Sequence, residues 1–359
     1  MTKKNLNTEV LMVSTNKEGK GGIASVVTTY IDGGLQNNYC IRFLATHAGD
    51  NKFQKLLCFV WSLLMLPKYL LSRRCKIFHI HTASRSSFIR KSIITWAGLL
   101  FRKKVILHLH GGEFMQFYTE ECGSLSKWYI KQTFNFVSKV VVLSSQWEKN
   151  IHQISNIASI VVLFNPVIVN AVERNEIDAK TNILLFLGRI GEGKGFWDIL
   201  NALSIVNKTH SDFIFKYGGD GEIEKAEKMI NELGLDHNTE YLGWVTGEQK
   251  QKILNESLIY LLPSYNEGLP IGILEAMASK VSIIASPVGG IPDAISDKIN
   301  GLLIQPGDVG ALSEAIKSLL DSDILCQALS DKAYEDVRNK FSVDVVVPQI
   351  ESLYQELDS

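Results

Sequence analysis

The 359-residue chain has few cysteines and places none of them in a Cys-x-x-Cys pair. Its five (Cys40, Cys58, Cys75, Cys122, Cys326) are odd in number and widely spaced. That pattern excludes a disulfide framework and a cysteine zinc site, and it fits a reducing cytosol. No apolar run approaches the roughly 20 residues a membrane span requires. The longest, Leu56 to Leu66, holds 11 residues and is followed by Pro67. Lys3 and Lys4 precede only the short run Val10 to Val13, which reads as a first strand rather than a signal peptide. Gly-x-Ser-x-Gly is absent, so no nucleophile elbow is expected. There is no repeat at solenoid spacing, no low-complexity tract, no helix-turn-helix and no aromatic RNA-binding signature. Nucleic acid is therefore not an expected partner.

The net charge of −1 conceals a strong asymmetry. Residues 1–170 hold 21 Lys plus Arg against 8 Asp plus Glu, a balance of +13. Residues 171–359 hold the other 16 and 30, a balance of −14. Such a split suggests two domains with different partners. Short apolar strands alternate with helical stretches in both halves, which predicts an α/β protein of two Rossmann-like, doubly wound parallel-sheet domains. Expected boundaries are a basic domain over 1–168, a polar linker over 169–181, an acidic domain over 182–342 and a terminal helix over 343–359 that crosses back to the first domain. The run from Leu56 to Leu71, flanked by Lys52, Lys55, Arg73 and Arg74, leaves two options open. It is either a core helix or a helix lying in a membrane interface.

Residues 264–278 are the most informative stretch. An apolar strand at Leu258–Leu262 leads into a loop holding Glu267, Gly268, Leu269 and Pro270, and a helix follows from Ile271. A helix start presents free backbone N–H groups to a phosphate or a hydroxyl. Glu267 stands at its mouth and Glu275 one to two turns inside, and carboxylates accept hydrogen bonds from polyol hydroxyls. A second strand–loop–helix unit carries Gly188, Arg189, Gly193, Lys194 and Gly195. The spacing is close to a P-loop, but Gly195 replaces the Ser or Thr that would hold magnesium. Arg189 and Lys194 can neutralise a diphosphate without a metal. In the first half, Gly21 and Gly22 form a tight turn, and His108 and His110 share one face of a strand end. A metal at these histidines is not expected, because His79 and His81 belong to a different strand end and only Glu113 lies near.

Together these segments resemble a family-4 (group 1) retaining glycosyltransferase of the GT-B fold, of the bacterial surface-polysaccharide type. Glu267 to Glu275 is similar to the family's Glu-x7-Glu motif, and Gly188-Arg189…Lys194-Gly195 to its phosphate-binding motif. Gly219-Asp220-Gly221, the nucleobase-side strand at 242–245, 286–292 and 300–302 continue the likeness. So do Lys20 to Ile23, His79 to Thr82 and His110 to Glu113; Asp293 departs from the Glu common in relatives. The resemblance implies two domains facing across a cleft and a metal-independent, hexosyltransferase-type enzyme using a nucleotide-sugar, most simply a UDP-sugar. Glu267 would hold the sugar, with Gly268, Leu269 and Pro270 around it. Glu275 would hold the ribose, and Trp244 and Val245 would lie beside the base. Arg189 and Lys194 would stabilise the leaving diphosphate, helped by Gly188, Gly219, Gly21 and Gly22, and His110 would contact the sugar. No cofactor is implied. The acceptor would be a glycan or a polyprenyl-diphosphate-linked sugar at the inner face of the plasma membrane, with Lys52, Lys55, Arg73, Arg74, Arg85, Arg90, Lys91, Arg102, Lys103 and Lys104 available for anionic lipid. Competing readings are a nucleotide-sugar epimerase or sugar phosphorylase on the same scaffold, an inactive nucleotide-sugar-binding protein, and a P-loop ATPase that Gly195 disfavours.

Overall fold

A computed structural model describes residues 5–16, 19, 21–49, 51–170 and 182–359. The chain divides into two compact units, Met1–Pro166 with Val343–Ser359, and Val167–Ser342. Residues 171–181 of the expected linker, and Lys20, lie outside the described residues.

The first unit is built on six parallel strands: β1 (Asn5–Ser14), β2 (Tyr39–Ala45), β3 (Cys75–Thr82), β4 (Lys104–Leu109), β5 (Lys139–Val142) and β6 (Ile160–Val162). They lie in the order β2-β1-β3-β4-β5-β6. The second unit has β7 (Ile183–Leu187), β8 (Ile214–Gly218), β9 (Thr239–Tyr241), β10 (Ile259–Leu262), β11 (Ser282–Ala285) and β12 (Leu302–Leu303), ordered β12-β11-β10-β7-β8-β9. Strands such as β5 (Lys-Val-Val-Val) and β7 (Ile-Leu-Leu-Phe-Leu) are continuous apolar runs because helices cover both faces of each sheet. The first core gathers Leu11, Val13, Phe78, Ile80, Val105 and Phe134. In the second, Phe186, Phe196, Phe215 and Tyr217 pack as an aromatic cluster.

Topology fixes where ligands go. In an open parallel sheet the crevice forms where the strand order reverses, at the carboxyl ends of the two strands involved. In the first unit these are β1 and β3, and in the second they are β7 and β10. The loops after β7 and β10 are residues 188–195 and 263–270, the two motifs singled out from sequence.

Three local expectations change. The strand Tyr39–Ala45 went unread because it is an edge strand, mostly half-exposed, with Arg42 in its middle. Pro67 does not end its helix, which runs Lys52–Leu70. A proline so near the end removes only a last-turn hydrogen bond, and Pro67 O still accepts from Leu71 N at 3.0 Å. The same helix is not a core helix, since only Ser62, Leu66 and Leu70 along it are buried. No helix among the described residues is long and apolar enough to cross a membrane.

Candidate active site

In the second unit the loops after β7 and β10 bring their charged residues together. Lys194 Nζ donates to Glu267 Oε1 at 2.5 Å, across 73 positions of sequence. Ser264 Oγ donates to the same oxygen at 2.8 Å. Glu267 is only 7% exposed, so its charge is tolerated through these partners. The loops are also stitched through the backbone, with Tyr265 N donating to Gly193 O at 3.1 Å. Gly289 holds the other side. Its φ is +58°, and a Cβ there would lie 1.9 Å from the Glu267 carbonyl oxygen. Its neighbour Gly290 donates to Gly268 O at 2.5 Å, which fixes the loop at the carboxylate.

The helix Ile271–Ala278 begins at Pro270 with no side-chain cap. Ile273 N donates back to Pro270 O at 3.2 Å, and an uncapped helix start of this kind favours anions and hydroxyl oxygens. Leu269 is buried, so that residue anchors the loop and leaves only its backbone for a ligand. Glu275, one turn on, pairs with Lys250 of the helix Gly247–Glu256. Tyr260 lies buried beside both carboxylates. Burial first, then Glu275 and Glu267, push its phenol well above its usual range, and its hydroxyl donates to Leu187 O at 3.1 Å. Ser264, Lys250 and Tyr260 were not anticipated from sequence. Tyr260 and Ser264 sit in the strand–loop unit already singled out, while only the fold brings Lys250 near Glu275.

Arg189 is exposed and has no ion pair or hydrogen bond among the described residues. Gly188 N donates to Gly218 O at 2.9 Å, tying the phosphate-type loop to the end of β8. Gly219 must be glycine: its φ is +144°, and a Cβ would sit 1.8 Å from Gly188 O. Residues 242–245 are a loop rather than a strand, because the chain leaves β9 after Tyr241 and turns at Gly243 (φ +68°). Trp244 in that loop is 39% exposed, and Val245 is half-buried near Gly218.

In the first unit Gly21 precedes the helix Gly22–Asp32 with φ +121° and open space where a side chain would stand, and Gly22 is equally open. The four histidines do not occupy separate places. Strands β3 and β4 are neighbours, with His81 opposite His108 in register. Ligand nitrogens of His79, His81 and His108 all lie within 4.8 Å of one another. His79 Nδ1 meets Tyr354 Oη at 2.6 Å, His79 Nε2 meets His108 Nδ1 at 3.1 Å, and His81 Nδ1 meets His110 Nε2 at 2.8 Å, while His81 Nε2 and His108 Nε2 are buried without a partner. Burial, with His79 and then Lys91 adding to it, holds His110 down at about 3, and burial alone does the same for His79. Burial first, and then the neighbouring imidazoles, also push His81 and His108 well below the usual range, so all four rings are neutral at physiological pH.

Three of the basic residues expected to meet lipid are otherwise occupied. Lys91 is fully buried, hydrogen-bonded to Ser87 Oγ at 3.1 Å, and pushed down to about 7 by burial and then by Arg90. Arg85 pairs with Glu113 and Glu121. Lys103 donates to the carbonyls of Ser72 and Cys75 at 2.7 and 2.8 Å.

Residues 169–336 match the family model described as glycosyl transferases group 1. The α-D-kanosaminyltransferase of Streptomyces kanamyceticus is 27% identical over 186 residues, 52% of this chain and 48% of that protein. An uncharacterised glycosyltransferase of Methanocaldococcus jannaschii is 27% identical over 266 residues, 72% of each chain. The chain spans about half the length of the first curated relatives it matches. Among solved structures, sucrose-phosphate synthase from Thermosynechococcus elongatus superposes with a TM-score of 0.79 at 16% identity, over 98% of this chain and 99% of that one. HepE of Anabaena, solved with UDP and glucose, gives 0.77 at 16% identity, over 97% and 100%. At such identities the structural likeness establishes the two-Rossmann GT-B fold.

Proposed function

We propose that this chain, whose residues 169–336 match the glycosyl transferases group 1 model, moves a sugar from a nucleotide-sugar to a glycan or lipid-linked acceptor with retention at the anomeric carbon. The observation that carries this reading is the Lys194–Glu267 pair, a buried carboxylate and a fixed cation meeting beside an uncapped helix start. In the free protein each satisfies the other. A diphosphate draws Lys194 and Arg189 to itself, and sugar hydroxyls then donate to the released Glu267. Neither exchange is favourable alone, because a nearly buried carboxylate without a partner is costly. The site therefore favours a ligand carrying both a diphosphate and a polyol. Glu275, held by Lys250, is suited to ribose hydroxyls, and Trp244 and Val245 to the base. We assign His110 a contact to the sugar. As the bond to the anomeric carbon breaks, negative charge grows on the leaving phosphate. Arg189 and Lys194 stabilise that charge, and a phosphate oxygen takes the acceptor's proton on the same face. The Anabaena complex with UDP and glucose supports UDP as the nucleotide. Mass spectrometry of products from a panel of nucleotide-sugars tests this. One donor should release its nucleoside diphosphate, and a panel without any product would overturn the reading.

The basic unit fits a membrane-facing acceptor. Phe53, Leu56, Leu57, Val60, Trp61 and Leu64 project from the helix Lys52–Leu70 into solvent, with Trp61 62% exposed. Lys52, Arg73, Arg74, Arg102 and Lys104 are exposed as well. Each basic residue near anionic lipid contributes about 1 kcal/mol, and burying such an apolar side chain adds roughly 2 kcal/mol. The protein should sediment with anionic vesicles and be released by salt. Trp61→Glu should weaken that association about tenfold or more; unchanged sedimentation would exclude this face.

A further inference from the structure

We infer that His81 is a positioning residue for His110, donating its Nδ1 proton to His110 Nε2 and so fixing His110 as the Nδ1–H tautomer. The inference rests on the proposed role of His110 at the sugar. The four histidines form a block of two hydrogen-bonded layers. In one, His79 and His108 are nearly coplanar, 6° apart with nitrogens 3.1 Å apart, so they meet edge to edge. In the other, His81 and His110 meet edge to edge at 2.8 Å. The layers lie face to face, His79 over His81 with centroids 4.3 Å apart and His108 over His110 at 4.2 Å.

Proton positions follow from accounting for every nitrogen. A neutral imidazole carries one proton, on Nδ1 or on Nε2. His108 Nε2 is buried and has no partner, nor has the buried His81 Nε2. A proton on His81 Nε2 would leave a buried N–H without an acceptor, and orphaned buried N–H groups are rarer than under-satisfied acceptors. The proton therefore sits on Nδ1 and points at His110 Nε2. His110 must accept there, which puts its own proton on Nδ1. That ring is half-buried, and its Nδ1 has no partner among the described residues. An N–H donor is thus left ready for an acceptor oxygen such as a sugar hydroxyl, and the His108 ring beneath holds its plane. In the opposite tautomer His110 Nδ1 would be an acceptor, and its contact with a hydroxyl would have reversed polarity. His81 decides which.

The test is the protonation pattern of the histidine nitrogens in the full-length protein, read by long-range ¹H–¹⁵N correlation and assigned with His110→Gln. Wild type should show His110 with a protonated Nδ1 and a bare Nε2. His81→Phe, which keeps a ring in the stack but has no donor, should release His110 into a mixture of tautomers. With the preferred donor, its kcat should fall between about tenfold and a hundredfold. His81→Asn, whose amide places an N–H near the lost Nδ1, should recover both the tautomer and part of the rate. An Nε2–H or mixed His110 in wild type would overturn the inference, and that measurement needs no variant to fold. Stoichiometric zinc bound through these rings would overturn it too. A changed tautomer with unchanged turnover would remove His81 from the positioning role. Loss of the transferase reading shows differently: no donor is turned over, while the His110 tautomer remains as assigned.

Discussion

Glu267→Gln should abolish nearly all turnover while leaving the protein folded. The carboxylate is nearly buried and held by Lys194 at 2.5 Å and Ser264 at 2.8 Å. Glutamine keeps the shape and an oxygen that still accepts from Ser264, but it removes the charge that orders sugar hydroxyls. Losing one preorganised polar group of this kind costs about 10²–10³ in kcat. Stability should fall modestly, because Lys194 is 32% exposed and can turn its ammonium to water. A rate within threefold of wild type, at unchanged folding, would remove Glu267 from the site.

Lys194→Met should be the second large effect, and it should strike stability as well as rate. Turnover should fall by about 10², the loss of one fixed donor aimed at the leaving diphosphate. Glu267 would be left buried with only the Ser264 hydroxyl against its charge, and breaking a buried ion pair from one side costs up to about 3–5 kcal/mol. The double variant Lys194→Met with Glu267→Gln separates the two roles. Removing both charges together should restore most of the lost melting temperature and none of the turnover. Thermal melts beside steady-state kinetics give the full cycle. If the double variant is as unstable as Lys194→Met alone, the pair is not what holds these loops.

The two sheets were largely legible because parallel strands covered on both faces read as apolar runs, as in Ile183–Leu187 and Ser282–Ala285. Tyr39–Ala45 was not, since an edge strand carries a mixed pattern. The acidic motif and the basic glycine motif could be read because each lies within one strand–loop–helix unit. Their meeting could not be read, since nothing local joins Lys194 to Glu267 across 73 positions. Strand order does that, by setting β7 beside β10. For the same reason Lys250 was invisible beside Glu275, and His81 beside His110. Burial explains the remaining errors. Lys91 looks like surface charge in a sequence, yet its helix turns it inward, and the apolar run at Leu56 looks like core until its face proves exposed.

The most direct measurement is the initial rate of nucleoside-diphosphate release from the preferred donor, with and without EDTA. Arg189 and Lys194 are proposed to carry the leaving-group charge by themselves. The two rates should then agree within about twofold, and both should collapse by about 10² in Lys194→Met. A rate abolished by EDTA and restored by a divalent cation would contradict this, because the charge would then rest on a metal and not on these side chains.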